Sequence, residues 1–213
     1  MTTRFGQIVG GGRAYQITDD DLLWLARAVE FEGGMAPEAT AWVYAQRLVY
    51  LSWSGSLAAL VRAHSQPLNP AWASTSSSGC VTHPELCSPA ALARREQART
   101  MPWGSLSART RDVVTRFAEA RLPNPIPRAV DFAAAALAAR KLDAGQFTRA
   151  VLRAGNTYLA TVASEAWGAN HVVVRYRGRV AGVLESARWQ WWALGLVGLG
   201  AGWWAWRRYL KAA

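Results

Sequence analysis

The chain has 213 residues, enough for one domain of moderate size with an appendage. Its net charge of +10 comes almost wholly from arginine, lysine occurring only at Lys141 and Lys211. A basic surface suits nucleic acid, anionic lipid or the anionic polymers of a cell wall. The arginines are scattered over predicted helices with no nucleic-acid motif beside them, so nucleic acid is not expected as a partner.

Residues 1–17 read as a flexible N-terminal segment. "FGQIVGGGRAYQ" holds no apolar run long enough for a secretory leader, and it lacks the preceding strand and the lysine that a phosphate cradle needs. Thr18 followed by Asp19, Asp20 and Asp21 then marks a helix start, a hydroxyl cap with carboxylates at the positive end of the dipole. Leu22, Leu25, Ala26 and Val29 recur at helical spacing, and Gly33-Gly34 supplies a stop. Glu30 and Glu32 therefore fall at the C-terminal end, where the dipole disfavours their ionised form and burial would disfavour it further. A carboxyl kept protonated near neutral pH is the general acid of a glycosidase; the plainer reading is a solvated helix end.

Pro37 opens a second helix that runs to about Leu51, and Ser54 to Ala63 reads as a third. A polar loop follows, "HSQPLNPAWASTSSSGCVTHPELCSP", longer than a connection requires. Within it Ser65, Gln66, Asn69 and Trp72 suit a sugar, amides matching hydroxyl and N-acetyl groups and an indole face packing on a ring. Cys80 and Cys87 allow a local disulfide, free thiols, or a zinc site with His64 and His83, although the spacing fits no zinc pattern; no metal and no cofactor are expected. Ser88-Pro89 caps a basic helix, another covers roughly Ser107 to Arg121, and "LPNPIPR" is an extended break. Helical pieces are expected from Ala129 to about Ala166, and "HVVVRYRGRVAGV" from His171 alternates like a strand or an extended stalk.

Residues 189–206, "WQWWALGLVGLGAGWWAW", carry no charge and hold half of the twelve tryptophans, placed at both ends as in interfacial aromatic belts. As a helix this stretch would span about 27 Å, near the minimum for a bilayer core, with Gly198 and Gly202 available for helix pairing. The sequence thus predicts a mainly α protein: a helical domain with little sheet over 18–168, a basic extended stalk over 169–187, a single transmembrane helix over 188–208 and a tail over 209–213. Basic residues flank the span on both sides, so the positive-inside count leaves the topology open.

Taken in order, Leu25-Ala26-Arg27 leading to Glu32, Gly33-Gly34, Gln46-Arg47, Ser65-Gln66, Ala129-Val130-Asp131-Phe132 and Gly155-Asn156-Thr157-Tyr158 resemble the pattern of cell-wall hydrolases of the spore-cortex-lytic type, a lysozyme-like family of lytic transglycosylases. Departures are Gln46 in place of an Asn, Ala36 before Pro37, and the cysteine loop as an insertion. The resemblance implies a lysozyme-like domain, Glu32 as general acid/base with Glu30 as runner-up, and peptidoglycan strands as substrate, held also by Asn156 and Tyr158. Cleavage of the N-acetylmuramic acid–N-acetylglucosamine bond without a second acid would give an anhydro sugar; Glu38 and Asp131 are the only candidates for a partner acid. Such a domain on a membrane anchor suits a phage virion or lysis enzyme, or a bacterial envelope enzyme facing the wall. The alternatives are a non-catalytic wall-binding protein with a degenerate domain, and a pore-forming lysis helper.

Overall fold

The computed structural model describes residues 6–10, 12–153, 155–166 and 173–176. In chain order these form β1 (Gly6–Gly10), β2 (Arg13–Ile17), α1 (Asp19–Glu32), α2 (Pro37–Tyr50), α3 (Leu57–His64), α4 (Ser78–Thr82), α5 (Pro89–Thr100), α6 (Ala108–Ala118), β3 (Asp131–Ala133), α7 (Ala135–Asp143), β4 (Arg149–Arg153), β5 (Asn156–Ala160), α8 (Val162–Ala166) and β6 (Val173–Tyr176). The fold is mostly helical, as expected.

The helix starts follow local chemistry. Thr18 and Asp21 make a reciprocal capping box: the Asp21 amide donates to the Thr18 hydroxyl and the Thr18 amide to Asp21 Oδ2 at 2.8 Å. Asp21 Oδ1 also accepts from the Ala58 amide at 2.7 Å, so one buried carboxylate anchors the starts of both α1 and α3. Ser56, Ser88 and Ser107 cap α3, α5 and α6 through their hydroxyls. The cap at Ser56 places the start of α3 later than the Ser54 expected from sequence.

Nearly every residue of α2 is buried, which makes it the axis against which α1, α3 and α6 pack. Trp42 on α2 meets Phe117 of α6 edge to face, ring centroids 5.4 Å apart. The side chains of Gln46 and Arg47 within α2 are also buried, and both serve the chain that follows α6. Gln46 donates to the carbonyls of Ile126 and Ala129 and accepts from the Asn124 amide and the Arg128 backbone N–H. A proline-rich strand of chain cannot satisfy its own carbonyls by helix or ladder, and Gln46 does so from the side. Arg128, in the left-handed region at φ 71°, turns the chain from there into β3.

Two expectations are corrected. The segment 1–17 is not simply flexible: β1 and β2 form an antiparallel hairpin turning at Gly12, φ 74°, with Ile8 fully buried. Its outer edge pairs with β6, Ile8 opposite Val174, so residues 173–176 are a strand of this sheet rather than part of an extended stalk. Burying Ile8 and Val174 together supplies what neither segment has alone. The stretch from Ala129 to Ala166 is likewise not helical pieces alone. β3, β5 and β4 make a second three-stranded antiparallel sheet, its hairpin turning at Gly155, φ 80°, with α7 packed on one face through Ala138 against Ala133 and Leu159. Alanine content favours helix locally, but pairing of Val151 and Leu152 with Tyr158 and Thr157 outweighs it.

Among the described residues no helix is long and apolar enough to cross a membrane. The predicted span 188–208, its Gly198 and Gly202, the tail 209–213 and most of the predicted stalk lie outside the described residues.

Candidate active site

The end of α1 is set by two glycines with different tasks. Gly33 stays helical, and a Cβ there would lie 2.3 Å from the Val29 carbonyl oxygen and 3.0 Å from Pro37 Cα, so the backbone of α2 approaches as only glycine permits. Gly34, at φ 48°, makes the reversal. The short turn lays α2 beside α1 and brings Tyr44 to the carboxyl of Glu32.

Both oxygens of that carboxyl are engaged. Tyr44 donates its hydroxyl to Oε2 at 2.8 Å, and Ser65 donates its Oγ–H to Oε1 at 2.7 Å. Ser65 is wholly buried at the end of α3, where its own carbonyl accepts from the Leu68 and Asn69 amides. Burial raises the Glu32 pKa above the ordinary carboxylate value; the bonds from Ser65 and Tyr44, the charge of Arg47 and the Gln66 backbone amide oppose this without cancelling it. The Tyr44 phenol is pushed well above its usual value, by burial first and then by Glu32, so it acts as a donor throughout the working pH range. Arg47, one turn further along α2, lies over the Tyr44 ring, donates through Nε to the Val130 carbonyl at 2.7 Å, and reaches Asp131 Oδ1 at 2.8 Å. Lys141 pairs with the other oxygen of Asp131.

These groups border a cleft of about 520 Å³. Glu32, Tyr44 and Arg47 come to it from α1 and α2, His64 and Gln66 from the end of α3, Arg94 and Arg95 from α5, and Asp131 and Phe132 from β3. Burial lowers the His64 pKa, aided by Arg47 and opposed by Asp131, so its imidazole is neutral at pH 7. The cleft combines a carboxyl with raised proton affinity, neutral donors fixed on it and cations to one side, which is equipment for general acid/base work. No protein family, curated protein or solved structure matches the chain.

Of the residues singled out in the sequence, Glu32, Ser65 and Gln66 come together here. Glu30 does not. Its carboxylate turns to α6, accepting from the Ser107 hydroxyl at 2.7 Å and the Ser107 amide at 3.2 Å. Burial raises its pKa, but hydrogen bonds from Thr110 and Ser107 and the charge of Arg111 outweigh this and leave it below the ordinary value. Glu30 is thus a helix-capping anion, opposite in character to Glu32 although two residues away. Glu30→Ala is expected to lower stability by about 0.5–2 kcal/mol. The loss should fade as acid protonates the native carboxylate, because a depressed native pKa contributes stability that is fully present above the unfolded value and is lost as pH falls through the native one. Urea unfolding at two pH values checks both points.

Asn69 and Trp72 build the loop rather than line the cleft. Asn69 caps a short 3-10 turn at Pro70–Trp72 and bonds the Ala63 carbonyl. The Trp72 ring stacks on His83 at 6.0 Å and lies beneath the Arg95 guanidinium at 4.9 Å. Asn156 and Tyr158 are on β5, away from the Glu32 cleft. Tyr158 is buried behind Phe132, ring centroids 6.1 Å apart, and borders a second cavity of about 370 Å³ formed with β4 and residues 125–129. The alternation of the sheet decides this, since the Tyr158 face looks toward the proline-rich segment. Glu38 lines a separate hollow beside Met35. The side chains that the sequence reading passed over are Tyr44, Arg94 and Arg95; the short connection from α1 to α2 was the available signal for Tyr44.

Cys80 and Cys87 are joined in a disulfide, which takes both sulfurs out of any metal set. The bridge closes the inserted loop just before α5, and Arg95 donates to the Leu86 carbonyl beside it. Replacing both cysteines by serine is expected to cost about 2–3 kcal/mol, the loop-closure entropy of a short ring. Denaturant titration of the double variant, compared with the native chain with its bridge intact, measures it.

Proposed function

We propose that this chain is a peptidoglycan-cleaving glycosidase, a lysozyme-like lytic transglycosylase or muramidase that cuts the β-1,4 bond between N-acetylmuramic acid and N-acetylglucosamine. In this reading the apolar segment 189–206 anchors it in a bilayer, with the folded unit facing the wall or carried in a phage virion. The observation that carries the reading is the Glu32 carboxyl: raised in pKa by burial, bonded on both oxygens by Tyr44 and Ser65, and bordering a cleft of about 520 Å³.

Glu32 protonates the glycosidic oxygen as the bond to the leaving sugar breaks. The resulting carboxylate then takes a proton from the hydroxyl that attacks the anomeric carbon, which returns Glu32 to its starting form. Tyr44 and Ser65 hold the carboxyl in place in both protonation states, donating more strongly to the anion. Asp131 also borders the cleft, but Arg47 and Lys141 occupy its two oxygens. A carboxylate so engaged is poorly disposed to activate water, which favours attack by the sugar's own O6 and an anhydro product over hydrolysis.

Mass analysis of fragments released from purified peptidoglycan by the full chain in mild detergent tests this. Anhydro-muramic ends are expected. Reducing ends would make the enzyme a hydrolase, and release of nothing, with the glycan still bound, would leave a wall-binding protein.

A further inference from the structure

The wall of the cleft built by α5 carries charge that acid/base chemistry at Glu32 does not use. Arg94 and Arg95 both border the cleft, whereas the cation that acts on the Glu32 carboxyl is Arg47. Glu96, the only acid in α5, is paired with Arg99, and among the described residues no carboxylate pairs with Arg94 or Arg95. Asp131 across the cleft is already neutralised by Arg47 and Lys141. With Glu32 protonated, the residues that line the cleft carry a net positive charge: Arg47 offsets Asp131, and Arg94 and Arg95 supply the excess. A glycan without a free carboxylate has nothing to place against them.

Arg95 is also held in position. Its guanidinium lies over the Trp72 ring at 4.9 Å and donates to the Leu86 carbonyl at 3.1 Å, within the loop that the Cys80–Cys87 bridge closes. Gly79 supports the same arrangement, since a Cβ there would meet the Trp72 ring at 2.8 Å. The inserted cysteine loop therefore has a consequence at the cleft: it fixes one cation at the rim, ordered before any ligand arrives, which lowers the entropic cost of binding. Arg94 beside it is exposed and makes no hydrogen bond or ion pair among the described residues.

Resting on the wall-glycan reading above, we propose that Arg94 and Arg95 form a carboxylate-binding subsite. It selects peptide-bearing glycan strands whose carboxylates are free over the same strands with those carboxylates capped. Guanidinium groups suit this because they meet a carboxylate with two parallel hydrogen bonds.

The test uses the full chain in detergent with Glu32→Gln, so that ligand survives the measurement. It is titrated with soluble peptide-bearing glycan fragments and with the same fragments after their carboxylates are capped as methyl amides. Capping is expected to weaken binding at least tenfold. Adding Arg94→Gln, at an exposed residue that the fold does not lean on, is expected to shrink that difference below about threefold and to leave affinity for capped fragments unchanged. Arg95→Lys, which keeps the charge but not the two-point geometry, is expected to fall between. Equal affinity for native and capped fragments overturns the subsite, as does a preference untouched by Arg94→Gln. Cleavage by the chain with its native Glu32 is scored separately. Cleavage without a carboxylate preference removes this inference and keeps the enzyme, whereas a preference without cleavage does the reverse.

Discussion

Glu32→Gln is expected to lower the rate of fragment release from purified peptidoglycan by about three orders of magnitude, within the range that a positioned general acid/base contributes. The amide keeps the shape and some of the hydrogen bonding from Tyr44 and Ser65, so the loss reports the missing proton rather than a collapsed cleft. Circular dichroism and melting of the variant establish that point. The native rate should decline as pH rises through the Glu32 pKa, which burial sets above the ordinary carboxylate value, because the reactive form is the acid. Stability carries the same signature. A carboxyl whose native pKa is raised contributes stability that is fully present below the unfolded pKa and is lost as pH rises through the native value. The variant lacks this dependence, so it should gain on the native chain as pH rises and compare least favourably in acid. A variant that retains full activity at every pH would remove Glu32 from the mechanism.

Arg47→Met is expected to be the most damaging single change to the fold, by about 3–5 kcal/mol. The guanidinium is buried in α2, bonded to the Val130 carbonyl and to Asp131, so its removal leaves a carbonyl without its donor and an anion with one cation fewer. Both belong to the stretch that leads into β3, and β3 carries Phe132 and one side of the cleft. Lys141 softens the charge imbalance but leaves the Val130 carbonyl unmet. Urea unfolding of Arg47→Met, Asp131→Asn and the double variant gives the coupling; the double variant should lose less than the sum of the singles. Activity should fall too, and its remaining pH profile should shift upward, since Arg47 is the charge that holds the Glu32 pKa down.

The two changes probe different layers of one construction. Glu32 is placed by a local stop signal and a glycine that lets α2 approach. Its chemistry depends on Tyr44, Ser65 and Arg47, which arrive from α2 and from the end of α3. Glu30 has the same local setting and shares the helix end, yet Ser107, 77 positions away in the chain, draws it into a cap. The helix dipole acts on the two glutamates alike. Desolvation and partners separate them, and both are properties of packing.

What the sequence alone determined is what neighbouring residues decide among themselves. The Thr18–Asp21 box, Pro37 at the start of α2, the serine caps of α5 and α6, the proline break before β3 and the placement of Glu32 at a helix end rest on hydrogen bonds and steric limits within a few residues. Helical periodicity likewise identified Leu22, Leu25, Ala26 and Val29 as the buried face of α1. Only the tertiary structure decided which distant segments share a sheet: β1 with β6, and β4 with β5 inside an alanine-rich stretch. It also decided that Tyr158 faces away from the cleft, that Gln46 and Arg47 hold the chain beyond α6, and that one glutamate is a raised acid and the other a structural anion. Strand pairing, burial and charge coupling depend on which surfaces meet, and that becomes defined only when the chain has closed on itself.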